Sequence, residues 1–320
     1  MVYWTTRSSS TMLLDCINLS KSIDSKDLFH ELNFRINEGE KIALIGRNGQ
    51  GKTTLLKMLA GEDSDYTGTI NTRKNMRVTL TKQEHITNAG LSPLEYVLQS
   101  VPKYYDLQKK LHAYELDGST DMHQYLEAVE YFTEHGYYYI EDSILNMLAS
   151  FQIANDKAIQ PLSQLSGGEK RYVELARMMF SNADLYLVDE PTNHMDYIGK
   201  EQFINWMLAQ KKSVLVVTHD RDVLNQVDTI LEMKDKKLLV FNGNYNHYLA
   251  QNASLTTTSI KHYQDQLNLL KEAKKRVEWG LRMRAKSKEW KIRYDHWLRD
   301  YEKIKAATEK PSLWIDQLST

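Results

Sequence analysis

A glycine-rich loop between an apolar run and a helical segment constrains the fold of this chain more than any other feature. Residues 41–61 read KIALIGRNGQGKTTLLKMLAG, and residues 46–53 match the pattern G-x-x-x-x-G-K-[ST]. In such a loop the glycines let backbone N–H groups converge on phosphate oxygens, and the following helix presents its positive end to the same anion. A glycine-rich turn without a ligand is the alternative, which the flanking strand and helix disfavour. We therefore predict a phosphate-binding loop formed by Gly46, Asn48, Gly49, Gln50, Gly51, Lys52, Thr53 and Thr54.

Polar residues at the end of this loop and at the ends of three apolar runs are of the types that bind the phosphates of a nucleoside triphosphate, hold Mg²⁺ and activate water. Lys52 is expected to reach the β- and γ-phosphates, and the Thr53 hydroxyl is expected to ligate Mg²⁺. Asp189, which ends the run LYLVD, is expected to hold Mg²⁺ directly or through water. Glu190 follows it and is expected to polarise an attacking water. On their own, these two acids could equally form a solvated turn. The presence of the phosphate loop favours the interpretation of Asp189 as a metal ligand and of Glu190 as a general base.

Two further residues are expected near the same site. His219 ends the run SVLVVT and is expected at the same sheet edge as Glu190, where it can hydrogen-bond the γ-phosphate. Gln83 follows the run MRVTLT, and its amide could reach Mg²⁺ or the attacking water. Without the phosphate loop, the histidine would be read as an ordinary polar residue at a strand end and the glutamine would carry no meaning.

The pattern of apolar runs predicts an α/β domain followed by a helical arm. Residues 84–164 look mainly helical, and residues 252–309 carry no strand pattern. Two of the runs are continuously apolar, as is typical of parallel strands buried on both faces. Strands are predicted at residues 13–18, 31–36, 41–45, 76–81, 185–189, 213–218, 229–233 and 237–241.

The segment LSGGEK at residues 165–170 resembles the signature sequence of ABC ATPases, and NHMD at residues 193–196 completes that family's order of motifs. The resemblance covers residues 12 to about 250. It implies a P-loop NTPase of the ABC ATPase type, with a helical subdomain at about 84–180, that binds and hydrolyses ATP with Mg²⁺. It also implies that the domain pairs with a second one across an interface. The residues implied there are Ser166, Gly167, Gly168 and Glu169, facing the partner's nucleotide, and Asn193 and Asp196 in the interface loop.

Finer variants of these motifs, LSGGEKRYVELAR, DEPTNHMD, THDRDVL and VFNGNYNHYLAQ, resemble the ABC-F branch of that family. ABC-F proteins lack membrane domains and act on the ribosome through two ATPase domains joined by a helical linker. The resemblance implies a second ATPase domain after residue 320, with residues 311–320 leading into it, or else a homodimer of this chain. The competing interpretation is the ATPase subunit of an ABC transporter, which rarely carries a positively charged helical hairpin after the ATPase domain.

One position departs from the family pattern. ABC ATPases usually place an aromatic residue that stacks on adenine about thirty residues before the lysine of the phosphate loop. In this chain the local pattern, KSIDSKDLF, puts Ile23 at that position. An isoleucine can contact the base but offers no π face for stacking.

The arm at residues 251–310 is strongly basic, although the whole chain has a net charge of only −1. Residues 261–310 contain 15 Lys or Arg and 8 Asp or Glu. Two apolar seams at helical spacing, separated near residues 280–288, predict an antiparallel hairpin whose first helix has roughly 25–28 residues. A solvated coiled coil is the plain alternative, but charge concentrated at the tip with interleaved indoles favours RNA. The resemblance implies rRNA and tRNA as partners. The residues predicted to contact RNA are Lys274, Lys275, Arg276, Arg282, Arg284, Lys286, Lys288, Lys291, Arg293, Trp279 and Trp290.

Composition narrows the cellular setting. Mean hydropathy is −0.54, and no apolar run approaches the roughly 18 residues that cross a bilayer. The first ten residues, MVYWTTRSSS, show no secretory pattern, and the single cysteine, Cys16, suits a reducing compartment. We expect a cytoplasmic protein without a membrane partner, in which residues 1–11 form a disordered extension and Cys16 is a small buried hydrophobe.

Overall fold

The computed structural model describes residues 11–24, 26–81, 90–118, 121–193, 195–283 and 287–307. The chain divides into two compact units, Met1–Tyr245 and Asn246–Thr320. The strands of the first unit are β1 (Met12–Ile23), β2 (Lys26–Asn37), β3 (Lys41–Gly46), β4 (Thr67–Thr72), β5 (Val78–Leu80), β6 (Leu185–Asp189), β7 (Ser213–Val217), β8 (Thr229–Lys234) and β9 (Lys237–Asn242). The helices are α1 (Lys52–Leu59), α2 (Pro93–Leu98), α3 (Tyr104–Asp117), α4 (Met122–Glu134), α5 (Ile140–Ser150), α6 (Asn155–Ala158), α7 (Gly167–Phe180), α8 (Tyr197–Ala209), α9 (Arg221–Leu224), α10 (Tyr245–Met283) and α11 (Lys288–Ala307).

A six-stranded sheet with the order β5-β6-β7-β3-β8-β9 forms the centre of the first unit. The strands from β5 to β8 are parallel, and β9 pairs antiparallel with β8. Every residue of β3, β6 and β7 is buried, which explains why these strands are apolar except for one polar residue at an end of each. Because these strands are parallel, their carboxyl ends lie at one edge, where ligands bind in open α/β sheets. The predicted α/β class is confirmed.

A second, antiparallel sheet has the order β2-β1-β4, and its central strand buries Leu14, Cys16 and Leu19. The prediction for Cys16 is therefore confirmed, and burial raises the pKa of its thiol to about 12. Strand β4 was not predicted. Its sequence, TGTINT, is polar and almost entirely exposed, so it gives no apolar signal and forms through pairing with β1.

Helices α2 to α7 share a separate apolar core, centred on Val97, Phe132, Ile144, Leu148 and Val173. This agrees with the prediction that residues 84–164 are mainly helical, for those that the structure describes. Helix α7 belongs to this core and also leads through residues 181–184 into β6. The helical part is therefore connected directly to the amino end of the strand that carries the acidic pair at its carboxyl end.

The described part of the second unit contains α10 from its second residue, Asn246, onward, and α11. Two expectations about it were wrong. Helix α10 has 39 residues, because the polar stretch NASLTTTS contains no proline or glycine to stop it. The helix also continues through Gly280 to Met283, so Gly280 is not part of the break. A Cβ there would lie 3.0 Å from the Trp297 ring of α11, so the glycine instead permits close packing of the two helices.

Candidate active site

The phosphate loop joins β3 to α1 in a backbone conformation that depends on glycine. Gly51, which caps α1, has φ +94°, and Gly49 has φ +79°, both in the left-handed region. At Gly46 a Cβ would lie 2.7 Å from the Met233 carbonyl of β8, so a side chain would push the loop off the sheet. The Gln50 side chain accepts a hydrogen bond from the Arg47 N–H at 2.7 Å and closes the turn.

Lys52 is folded into this loop. Its ammonium donates to the Gly46 carbonyl at 2.6 Å and to the Arg47 carbonyl at 3.2 Å. Burial lowers the pKa of Lys52, and the charges of Glu190 and Asp189 oppose that shift. The lysine thus provides a desolvated positive charge inside the phosphate loop.

The first turn of α1 meets the end of β6 at an oxygen-rich point. The Thr53 hydroxyl donates to Asp189 Oδ2 at 2.6 Å, and the Asp189 N–H donates to the Thr81 hydroxyl at 2.9 Å. Hydroxyl and carboxylate oxygens are the donors that Mg²⁺ prefers, with the remaining positions filled by waters and phosphate oxygens. The pair therefore fits the predicted metal. Thr81 was missed, since nothing in the sequence marks a threonine at a strand end.

Glu190 and His219 lie side by side, with Glu190 Oε1 3.3 Å from His219 Nε2. Burial raises the pKa of Glu190 to about 7, against the opposing charge of Lys52. Burial and the same lysine lower the pKa of His219. A carboxyl group with a pKa near neutrality is suited to accept a proton from water.

Hydrogen bonds from two other segments hold the backbone of Glu190 in an unusual conformation. Its φ is +47°, its N–H donates to the Val217 carbonyl at 2.8 Å, and its own carbonyl accepts from the guanidinium of Arg171. Non-glycine residues seldom adopt this conformation, and they keep it only where the surroundings impose it. Arg171 was missed because it lies nineteen positions from Glu190 and only the fold brings them together.

The signature segment forms the start of α7. The Ser166 hydroxyl accepts from the Glu169 N–H at 3.3 Å, while Ser166 N–H donates to the Glu169 carboxylate at 2.8 Å. A Cβ on Gly167 or Gly168 would meet nothing within 4 Å, so this helix end is open. The Glu169 carboxylate is also bonded to Lys157, at 2.7 Å, and these contacts lower its pKa to about 2. It is thus engaged within its own chain, whereas Ser166 is exposed.

The residues predicted for the interface loop differ in their surroundings. Asn193 is exposed. Asp196 caps α8 by accepting from the Gly199 N–H at 2.8 Å, and it also accepts from Tyr172 at 3.0 Å and from Gln152 at 2.8 Å. Its side chain therefore organises the loop from within the domain.

Most of the residues predicted for the nucleotide site line one cavity of about 390 Å³. Gln83 lies outside the described residues. Leu28, which no motif marked, joins the lining. The lining residues are Ile23, Leu28, Asn48, Gly49, Gly51, Lys52, Thr53, Thr54, Asp189 and Glu190.

In the second unit, the described cations of the predicted RNA surface are all exposed. Arg284 and Lys286 lie outside the described residues. Of the others, Lys274 alone has an ion-pair partner within the described part, Glu278 at 4.0 Å. Trp279 and Trp290 meet each other across the hairpin with ring centroids 4.9 Å apart, and Trp279 remains 47% exposed.

Comparison with known proteins identifies the family. The family described as ABC transporter matches residues 29–193. The chain belongs to this family. It therefore carries an ATP-binding ABC ATPase domain, as the motifs indicated.

Three curated relatives of this ABC protein are similar over most of the chain. It is 31% identical to the ABC transporter ATP-binding protein YfmR of Bacillus subtilis, over 88% of this chain and 46% of that one. It is 30% identical to the probable ATP-binding protein YheS of Haemophilus influenzae, over 84% and 42% of the two chains. It is 30% identical to ABC transporter F family member 2 of Arabidopsis thaliana, over 76% and 31%. The chain thus spans about half or less of the length of these relatives.

Solved structures agree on the fold. The ATP-binding subunit of an ABC transporter aligns with a TM-score of 0.56 at 19% identity, covering 75% of this chain and 93% of that one. An ATP-binding cassette in its ADP conformation aligns with a TM-score of 0.51 at 19% identity, covering 73% and 92%. These likenesses confirm the ABC ATPase fold. Among the residues that the structure describes, no helix is both long and apolar enough to cross a bilayer.

Proposed function

We propose that this ABC protein is an ABC-F type factor that hydrolyses ATP and acts on the ribosome through its basic hairpin. The observation that carries the proposal is the exposed cationic cluster of α10 and α11, which follows an ABC ATPase domain in the same chain. The name of the Arabidopsis relative, ABC transporter F family member 2, supports the same branch. The cytoplasm is the compartment that this function requires.

Hydrolysis in this proposal uses residues that the site brings together. Mg²⁺, when bound, would neutralise the β- and γ-phosphate oxygens, and Thr53 and Asp189 would hold it. Lys52 would exchange its loop carbonyls for phosphate oxygens. Glu190 would accept the proton of the attacking water, since burial brings its pKa to about 7. His219 would hydrogen-bond the γ-phosphate beside it.

The site also needs a second ABC ATPase domain. Ser166, Gly167 and Gly168 at the exposed start of α7 do not line the nucleotide cavity of their own domain, and the family implies that they face the nucleotide of a second domain. A second domain of the whole protein or a second copy of this chain would supply the missing signature. The molar mass of the Glu190→Gln variant, measured by light scattering with and without ATP, distinguishes a second copy of this chain from a second domain of the whole protein. A monomer under both conditions contradicts the homodimer.

The hairpin would contact RNA through charge. Among the described residues, its cations other than Lys274 have no ion-pair partner, and the guanidinium of Arg293 lies 5.1 Å from the centroid of the Trp290 ring. These cations would neutralise phosphates, and each phosphate contact would release counterions and make binding dependent on salt. The Trp279 and Trp290 rings contact each other, so we assign them first to the packing of the hairpin, with the exposed part of Trp279 available to a base or sugar.

The deciding experiment is co-sedimentation of Glu190→Gln with ribosomes, with and without ATP. We expect ATP-dependent binding, and we expect it to be lost when Lys274, Lys275 and Arg276 are all replaced by Glu. The matched control replaces Lys109, Lys211 and Lys237 by Glu, which makes the same change in charge at exposed positions outside the hairpin. Binding that survives the hairpin replacement, or that the control also abolishes, contradicts an RNA role for the cluster.

The second candidate is the ATPase subunit of an ABC transporter, which the description of the matched family favours. The same variants distinguish it. Recovery of Glu190→Gln with membranes and without ribosomes would replace the ribosome proposal by the transporter one.

A further inference from the structure

The carboxylate of Glu169 bonds both to the start of α7 and to a lysine of α6. One of its oxygens, Oε1, accepts from the Lys157 ammonium at 2.7 Å, and the other, Oε2, accepts from the Ser166 N–H at 2.8 Å. The Ser166 hydroxyl oxygen in turn accepts from the Glu169 N–H at 3.3 Å. The hydroxyl proton of Ser166 takes no part in these bonds, so the serine can still donate it to a ligand.

The apolar core of the helical part holds Lys157 beside this carboxylate. Ile153, just before α6, and Ala158, its last residue, are both fully buried in that core. The Lys157 N–H donates to the Ala154 carbonyl at 3.0 Å, so the backbone of the lysine is fixed as well. The side chain of Lys157 is 52% exposed and that of Glu169 is 22% exposed, so the ion pair lies at the surface, where it contributes little to stability.

The charge of Glu169 opposes the attraction of this helix end for anions. A helix N-terminus carries roughly +0.5 of an elementary charge, which favours phosphate. Hydrogen bonds from Lys157 and Ser166 lower the pKa of Glu169 to about 2, and its ordinary value of 4.5 would also leave it charged at neutral pH. Without the lysine, this carboxylate would outweigh the helix end by about half a charge. Lys170, the next residue, contributes its charge in either case, so the loss of Lys157 shifts the local charge by one full unit.

We propose that Lys157 is a positioning residue for ATP hydrolysis, which acts through Glu169 to keep the start of α7 attractive to the triphosphate bound by a second ABC ATPase domain. The inference rests on the proposed pairing of two such domains. With the carboxylate neutralised, the Ser166 hydroxyl and the open backbone of Gly167 and Gly168 can approach phosphate oxygens without a like charge beside them. Juxtaposed like charges oppose association, so the lysine acts when the two domains close around the nucleotide.

The test is a double-mutant cycle of Lys157→Met and Glu169→Gln, with kcat for ATP hydrolysis measured under conditions that support turnover. Lys157→Met leaves the carboxylate uncompensated, and we expect kcat to fall about tenfold. The double variant removes both charges and keeps an oxygen that accepts from Ser166, so kcat should return to within about twofold of the original. An ion pair that merely holds the fold predicts no such recovery, because the double variant lacks that pair as well. A double variant no faster than Lys157→Met overturns the proposal.

Nucleotide binding separates this role from a general loss of folding. Lys157 does not line the cavity of its own domain, so the dissociation constant for ADP with Mg²⁺ should stay within about twofold in Lys157→Met. A parallel loss of ADP affinity and kcat overturns the positioning role. Absence of ATP hydrolysis in the original protein contradicts the proposed function itself, whereas normal hydrolysis that Lys157→Met leaves unchanged overturns only the role of the lysine.

The matched control breaks an ion pair of similar length elsewhere in the domain. Lys212 lies 2.8 Å from Asp184, next to the amino end of β6, and Lys212→Met should leave kcat within about twofold of the original. Lys157→Arg, which keeps the charge, should retain the original kcat. An equal fall of kcat in Lys212→Met and Lys157→Met overturns the proposal, because it assigns the effect to the loss of any surface ion pair.

Discussion

The guanidinium of Arg171 donates a hydrogen bond to the backbone carbonyl of Glu190, so the helix that begins at the signature holds the acid at the end of β6. Arg171 lies five positions after Ser166 on the same structural unit. The next residue, Tyr172, donates to Asp196 at 3.0 Å. Consecutive side chains of α7 thus hold both ends of the segment 190–196, which contains the candidate base and the interface loop.

Arg171→Met should lower the turnover of ATP more than its binding. The loss of one donor leaves the Glu190 carbonyl less constrained, and small displacements of a catalytic group can reduce rates by about a hundredfold. We expect a kcat decrease of about tenfold with a nucleotide affinity within about twofold of the original.

The measurement is steady-state ATP hydrolysis under conditions that support turnover, together with equilibrium ATP binding. Arg171→Lys, which keeps a donor, should recover part of the rate. A parallel fall in affinity and kcat would show that the arginine merely stabilises the domain, contrary to a positioning role.

Gly199→Ala should destabilise the domain only while Tyr172 is present. A Cβ at position 199 would lie 2.5 Å from the Tyr172 hydroxyl oxygen, and overpacking of this kind costs about 1–3 kcal/mol. In a helix without that clash, alanine is favoured over glycine by about 1 kcal/mol. The same substitution in a Tyr172→Ala background should therefore be neutral or stabilising.

Urea unfolding of the four members of this double-mutant cycle measures the coupling. Additive effects of the two substitutions would show that the ring and the Gly199 backbone do not constrain each other.

The sequence was sufficient for the parts of the site that lie next to one another in the chain. The phosphate loop is a local motif, so its residues could be assigned together, and the buried strands β6 and β7 were visible as apolar runs. Parallel pairing then required their carboxyl ends, and hence Glu190 and His219, to share one edge.

Contacts between distant segments could not be predicted in this way. Arg171, Thr81 and Leu28 lie within segments that the sequence analysis quotes, but no motif assigns a role to them, and only packing places them at the site. Strand β4 has no apolar face, and α10 extends through polar residues because tertiary context and the absence of a breaker outweigh weak helix propensity.

The reciprocal hydrogen bonds between Ser166 and Glu169 at the start of α7 should make the stability of the domain depend on pH in the acidic range. The pKa of Glu169 in the folded chain is about 2, lowered from 4.5 by Lys157 first and by Ser166 second. A carboxyl group whose pKa is lowered by folding stabilises the native state above its unfolded pKa. That contribution should be complete above pH 4.5 and should be lost progressively as the pH falls towards 2.

The comparison of the original chain with Glu169→Gln by urea unfolding at several pH values isolates this group. We expect the difference in the free energy of unfolding to be constant near neutrality and to shrink below pH 4.5. A difference that is independent of pH would mean that the carboxylate charge contributes nothing at this helix end.

Thr53→Val should abolish most of the effect of Mg²⁺ on ATP binding. The substitution removes the hydroxyl that lies 2.6 Å from Asp189 Oδ2 and keeps the side-chain shape, so one of the two protein oxygens that would hold the ion is lost. ATP affinity measured without Mg²⁺ should change little, because Lys52 and the loop N–H groups remain. Titrations of the protein with ATP, in the presence of Mg²⁺ and in the presence of a chelator, give the ratio of the two ATP affinities. This ratio should fall towards one in Thr53→Val. Thr69→Val on the exposed strand β4 is the matched control and should retain the full ratio. An unchanged ratio in Thr53→Val would remove this hydroxyl from the metal site.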